Sequence, residues 1–321
     1  MGRKAVSRRR FLQTAAAGMT GLAAPLSPAQ ATAGPAAGES KPTRFQVACM
    51  TLPYARFPLR RALTGIRDAG YRHVAWGTTH QEGSDKRVPV MPADAAPARA
   101  KELAARCRDL GLEPVMMFSD IYPEAKNAVA VLRRRIEQAA AARIPQVLTF
   151  GSTRDGGRKL WLERFRALGP IARDHGVLIV IKQHGGATGS GEACARITRE
   201  VNDDGIRVNY DAGNVMDYLR LPPAKVIADL QACADQVRSF CIKDHRDFPP
   251  PHQDCGPGLG EIDHYRLLHL VAFTGRVMPL CCENIFAPRV RRPEKPEGVD
   301  ALARRAREFL ELVIAGVQAT T

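Results

Sequence analysis

Several absences narrow the reading of this 321-residue chain before any motif is named. After its N-terminal stretch no run of eighteen apolar residues occurs, so no later segment is long enough to span a bilayer as a helix. No G-x-G-x-x-G follows the first strand-like segment, which argues against an open dinucleotide-binding sheet. The Gly-rich piece Gly256-Pro257-Gly258-Leu259-Gly260 has no Walker lysine and serine beside it. It reads as a substrate-covering loop or a plain connector rather than a phosphate cradle. Aromatics are missing between the basic residues of Arg133-Arg134-Arg135, Arg289–Arg292 and Arg304–Arg307. Such stretches suit solvated helix surface better than a nucleic-acid groove, and no nucleic-acid partner is expected. Cysteine is present eight times but without the compact spacing of a disulfide framework, so most of the thiols are expected to be reduced and buried. Cys281 and Cys282 would point to opposite faces of a strand, which argues against their holding one metal together.

The first thirty-one residues differ from the rest. Ser7-Arg8-Arg9-Arg10-Phe11-Leu12 is a twin-arginine pattern, followed by the weakly apolar stretch Gln13–Leu26 and by Ala29-Gln30-Ala31, a small-x-small cleavage site. Residues 1–31 read as an export signal read by the twin-arginine translocation machinery, and residues 32–43 as a linker. The expected location is periplasmic or secreted, with no stable membrane insertion once the signal is removed. Five cations and no acid lie in the signal, so the formal +14 of the chain falls to +9 after it.

Residues 44–318 suit one large α/β domain. Strand-like runs are expected at Phe45–Leu52, Tyr71–Gly77, Leu112–Phe118, Gln146–Phe150, Val177–Gln183, Ile206–Tyr210, Val237–Ile242 and Val277–Cys282. Helical patterns alternate with them, at Leu59–Ala69, Pro92–Leu110, Glu124–Ala142, Leu160–His175, Gly191–Asn202, Ala224–Cys233, Ile262–Ala272 and Gly298–Val317. Val and Ile of both parities mean strands buried on both sides, as in a parallel sheet. Eight strands alternating with eight helices predict a single closed (β/α)8 TIM barrel. Between them, Arg246–Glu261 reads as irregular.

In such a barrel the C-terminal strand ends form the active face, and four runs end there in polar residues: VLIVIKQHGG, IRVNYDAGN, SFCIKDH and VMPLCCEN. Side chains two apart share a strand face, so Lys182 projects with His184, Cys241 with Lys243 and His245, and Cys281 with Glu283. A buried lysine needs a carboxylate close by, and Asp211 and Glu283 are the available partners for Lys182. Lys182, Lys243 and Glu283 are the candidates for proton transfer and for polarising a substrate oxygen. His184, Asn214 and His245 are candidate substrate contacts, with Asn214 equally able to cap the following turn. Trp76 and His80 offer a wall and a polar contact for a sugar ring, core packing being the alternative for Trp76.

The segments VNYDAGNVMDY, FCIKDH with GPGLGEID behind it, and LCCEN resemble the pattern of the xylose-isomerase-like TIM-barrel superfamily, the sugar isomerases and epimerases that also include apurinic endonucleases. The resemblance runs over the chain after its signal in order and spacing. It implies a divalent metal held by a Glu, an Asp, a His and a Glu from the fifth to eighth strands. Those places fall on Lys182, Asp211, Cys241 and Glu283, so two match and two depart. Either the metal is gone, or it has moved to a mixed set of His184, Asp211 and Glu283, with His245 as a further donor, suited to Mn²⁺, Zn²⁺, Co²⁺ or Mg²⁺. Both versions support proton abstraction beside a carbonyl. The expected function is an exported isomerase or epimerase acting on an unphosphorylated carbohydrate. A lyase on keto-glycosides and a non-catalytic sugar-binding barrel are the alternatives, and a repair nuclease is disfavoured by export.

Overall fold

The computed structural model describes residues 41–319 except 84–85, 152–156 and 248–252. The export signal read at residues 1–31, and the linker up to residue 40, lie outside the described residues.

Eight parallel strands close into a barrel. They are β1 (Arg44–Met50), β2 (His73–Trp76), β3 (Glu113–Phe118), β4 (Gln146–Phe150), β5 (Leu178–Lys182), β6 (Ile206–Tyr210), β7 (Val237–Ile242) and β8 (Val277–Cys282). Each pairs with its neighbours in chain order, and β1 closes on β8 with Arg44 opposite Val277 through Cys49 opposite Cys282. The chain is thus the (β/α)8 barrel that the alternating pattern predicts.

The strands bury both faces, for two different reasons. Ala48, Met50, Ala75, Leu148, Val180, Cys241 and Cys281 fill the barrel interior. Residues of the other parity, such as Cys49, Val74, Val147, Ile179, Ile181 and Ile242, pack against the surrounding helices. This two-sided burial explains why the strands read as continuous apolar runs. One irregularity intervenes between β2 and β3, where Val74 lies opposite Pro114 but Ala75 lies opposite Met116, leaving Val115 as the extra residue of a bulge.

Among the described residues the helices are α1 (Leu59–Asp68), α2 (Pro97–Asp109), α3 (Ala128–Ala142), α4 (Arg158–Asp174), α5 (Gly191–Val201), α6 (Ala212–Leu219), α7 (Pro223–Cys233), α8 (His264–His269) and α9 (Pro296–Gln318). Three end on a left-handed residue, Arg143 (φ 55°) after α3, Asn202 (φ 54°) after α5 and Arg220 (φ 52°) after α6. Ser190 caps α5 by accepting from the Ala193 amide at 3.0 Å.

Three features depart from the sequence reading. α6 was not expected, because Ala212–Leu219 is short and Gly213 lies in its first turn. An antiparallel hairpin, Thr79–Glu82 with Lys86–Pro89, follows β2. A second, Asp244–Arg246 with Gln253–Cys255, follows β7 and runs into the piece read as irregular. Arg135 is a further correction, since it is 1% exposed rather than solvated. Its guanidinium donates to the carbonyls of Ser119 and Met91 and to Gln138, and it pairs with Asp120. All eight cysteines are free and buried, as expected.

Candidate functional site

Four strand ends deliver a compact cluster of charge at the C-terminal mouth. Lys182, the last residue of β5, shares its parity with Val180 and so rises from the apolar barrel interior. Its Nζ donates to both oxygens of Glu283, just beyond β8, at 2.8 and 2.9 Å. Asp211, just beyond β6, places Oδ2 3.3 Å from Lys182 Nζ and 3.4 Å from Lys243 Nζ. Lys243, just beyond β7, also reaches Asp254 at 3.1 Å and lies 3.9 Å from Glu283. Two ammonium groups and two carboxylates therefore interleave in a largely dry setting: Lys182 and Lys243 are only 3% and 6% exposed.

Backbone and amide contacts hold this arrangement. Asp211 caps α6, accepting from the Asn214 amide at 2.9 Å, and its own amide donates to the Gln183 side chain at 2.7 Å. Asn214 Nδ2 donates to the Gln183 carbonyl at 2.6 Å, while its Oδ1 accepts a short hydrogen bond from Lys243. Gly213 permits the approach, because a Cβ there would stand 2.8 Å from the Lys243 chain. Asn214 thus serves as a positioning group for Lys243, and the helix cap falls to Asp211.

Proton affinities follow from this packing. Burial favours neutral Lys182, but Glu283 foremost, with Asp211, outweighs it and holds the ammonium charged above the usual lysine range. Lys243 is raised in the same way, burial being overcome by Asp211, Glu283 and Asp254. Glu283 feels burial pushing it up, yet the two ammonium groups bring it down to about 2. Asp211 is fully enclosed and goes the other way, burial raising it to about 6 against the pull of Lys243 and Lys182. Burial pushes the Cys241 thiol up, so it stays protonated.

His184 stands beside the cluster in an aromatic setting. Its ring centroid is 4.7 Å from Phe150, 5.4 Å from Tyr218 and 6.1 Å from Tyr122. Burial lowers its proton affinity, and Nδ1 sits 2.7 Å from the Gly151 carbonyl. A carbonyl can only accept, so Nδ1 carries the proton and Nε2 offers a lone pair. Phe150 also lies under Lys182, whose Nζ is 5.5 Å from that ring and 5.9 Å from Phe118. A recess of about 230 Å³ lined by Asp120, Ile121, Tyr122 and Phe150 opens here. A larger cavity, about 550 Å³, lies between α1 and α2 and is lined by none of the candidate residues.

The other sequence candidates are placed differently. Both ring nitrogens of His245 face carboxylates, Nδ1 to Asp254 at 3.0 Å and Nε2 to Asp247 at 2.9 Å. These acids overcome burial and keep the ring's proton affinity above its ordinary value, so His245 supports Asp254 and thereby Lys243. Trp76 belongs with Val74 to the layer between barrel and helices, so its ring faces away from the barrel axis. His80 is buried, with Nδ1 2.9 Å from the Phe57 carbonyl. Asp254, Gln183, Phe150, Tyr122 and Tyr218 were not anticipated. Asp254 lies in the segment read as irregular, and the aromatic group is assembled from a strand end (Phe150), a loop (Tyr122) and helix α6 (Tyr218), which no local spacing reveals.

Asp211, Cys241 and Glu283 each offer an atom within 4.8 Å of the others, a spacing that a metal ion could bridge. His184 is not in that group. The donor chemistry of the three is a poor fit to a divalent ion, because both carboxylates already hold ammonium groups and the thiol keeps its proton. At about 4 Å and an effective dielectric near 20, a doubly charged ion would be repelled by each ammonium by roughly 8 kcal/mol.

The closed barrel with its polar mouth defines the class, an α/β barrel whose site is built from loops at the strand ends. The xylose isomerase-like TIM barrel family model matches residues 63–311, and the chain belongs to that family. Among solved structures, a xylose isomerase-like TIM barrel protein from Mycobacterium smegmatis in complex with magnesium is 18% identical, covering 87% of this chain and 98% of that one at a TM-score of 0.65. An L-ribulose 3-epimerase is 17% identical over 85% of this chain and 95% of its own, at 0.63. The IOLI protein with a bound zinc atom is 16% identical over 85% and 98%, at 0.62. At these identities the likeness establishes the shared fold. No curated protein sequence matches the chain.

Proposed function

We propose that this barrel is a carbohydrate isomerase or epimerase that removes a proton from the carbon next to a carbonyl. The observation that carries the reading is the bidentate Lys182–Glu283 pair at 2.8 and 2.9 Å, with Lys243 3.9 Å from the same carboxylate, at the barrel mouth. A C–H bond next to a carbonyl breaks only if a base takes the proton while a cation stabilises the oxyanion that forms. The cluster supplies both. Glu283 takes the proton, and the two ammonium groups face the developing charge.

At rest Glu283 is too weak a base, because Lys182 holds it near 2. When Lys182 turns one donor toward a substrate oxygen, Glu283 loses part of that stabilisation and becomes more basic. Proton return to the opposite face gives epimerisation; return to the former carbonyl carbon gives isomerisation. His184 Nε2 accepts from a sugar hydroxyl, and Phe150, Tyr122 and Tyr218 cover an apolar ring face. The twin-arginine pattern favours an unphosphorylated substrate met outside the cytoplasm.

Solvent deuterium uptake into a panel of free sugars, keto-sugars and inositols tests the reading. Wild type should exchange the proton next to the carbonyl of at least one member, and Glu283→Gln should lower that rate by about 10²–10⁴. Absence of exchange across the panel would remove the proposal. Loss of a β-oxygen from the same substrates would replace it with a lyase.

A further inference from the structure

We infer that this barrel works without a divalent ion, the Lys182 ammonium standing permanently where an ion between Asp211 and Glu283 would sit. Three observations carry this. First, the two ammonium groups already come close to neutralising the acids: Lys182 and Lys243 face Asp211 and Glu283, Asp254 adds a third carboxylate 3.1 Å from Lys243, and every one of these contacts falls between 2.8 and 3.9 Å. A divalent ion added to that set would leave a buried excess of positive charge.

Second, most of the ligand atoms are already engaged. Both Glu283 oxygens accept from Lys182 and Asp211 Oδ1 caps α6, while Asp211 Oδ2, which accepts no hydrogen bond among the described residues, faces the two ammonium groups at 3.3 and 3.4 Å. Cys241, the third donor within 4.8 Å, brings a thiol where a hard ion needs oxygen. Third, the faces of Phe118 and Phe150 lie 5.9 and 5.5 Å from Lys182 Nζ. Aromatic faces favour an ammonium, but they cannot replace the water shell that a small divalent ion keeps. Two solved barrels of this fold, by contrast, hold magnesium and zinc. In this chain the positive pole is covalently tethered, so it cannot be exchanged or chelated away.

The test measures metal binding itself, independently of catalysis. Protein stripped with EDTA and dialysed free of it is titrated with Mn²⁺ or Mg²⁺ by calorimetry, and its melting temperature is followed with and without each ion. Zn²⁺ is avoided because it would find unfolded thiols. The wild type should show no one-to-one site and no rise in melting temperature. Lys182→Glu, which restores a third carboxylate and removes the cation, should bind one Mn²⁺ and melt several degrees higher with it. Lys182→Met, which removes the cation without adding a ligand, should bind at least tenfold more weakly than Lys182→Glu.

A wild type that takes up one Mn²⁺ or Mg²⁺, lost in Glu283→Gln, overturns the inference. So does a folded Lys182→Glu that gains no ion. If Lys182→Glu folds only when Mn²⁺ is present, the inference is supported; if it folds under neither condition, the wild-type titration decides alone. Since none of these readouts uses turnover, the proton-abstraction reading can fail while this one stands, and the reverse.

Discussion

A carboxylate enclosed completely between two ammonium groups is still under tension, and Asp211 shows which effect wins. Burial raises its proton affinity from the ordinary 3.8 to about 6 although Lys243 and Lys182 pull it down. Between those values the folded chain holds a proton that the unfolded chain has released, so this group makes stability fall as pH rises from about 4 to 6. Glu283, held near 2, has the opposite sense: its contribution is complete above its ordinary 4.5 and is lost as pH drops toward 2. Urea unfolding at pH 4 and pH 6.5 should therefore show an Asp211 component on the order of 3 kcal/mol, absent from Asp211→Asn. Equal pH slopes for the two proteins would refute it. At this scale the sequence was readable where chemistry sits at a strand end. Lys182, Asp211, Lys243 and Glu283 are visible from period-two parity and from the cost of burying a lone lysine. Gln183, Asp254 and the three aromatic residues were not, since their roles depend on which loop folds over which strand end.

Among elements, the strands were legible because each is an apolar run bounded by Gly, Pro or polar residues, and all eight in the structure start and end within about two residues of their expected limits. The short helix α6 escaped because its stability comes from Asp211 capping it and from Lys243 packing on Gly213, neither of which is a helical periodicity. Arg135 escaped for a related reason. Its two arginine neighbours suggest a wet face, while tertiary contacts fold it under the β3–α3 loop. It joins α3 to the carbonyls of Ser119 and Met91, so Arg135→Ala leaves several buried acceptors without a donor. Such a loss should cost about 3–5 kcal/mol, read as a lower urea midpoint at unchanged slope. A change under about 1 kcal/mol would mean that water reaches those carbonyls and that the guanidinium is dispensable there.

For the whole molecule, the export reading makes a claim about folding order. Eight buried free thiols fit a chain that folds in a reducing compartment and crosses afterwards. Replacing Arg8 and Arg9 by lysine should leave the protein in the cytoplasm, seen by cell fractionation; undiminished export would discard the twin-arginine reading. The barrel, its strand count and the convergence of four polar strand ends are all written in local patterns of the chain, because alternation and burial on both faces are properties of consecutive residues. What tertiary structure alone decided is the balance of charge at the mouth. Whether Lys182 meets one acid or two, whether Lys243 joins them, and whether His184 or Cys241 stands nearest depends on distances between residues tens of positions apart, and Coulomb energy is set by distance and desolvation, which one-dimensional spacing does not contain.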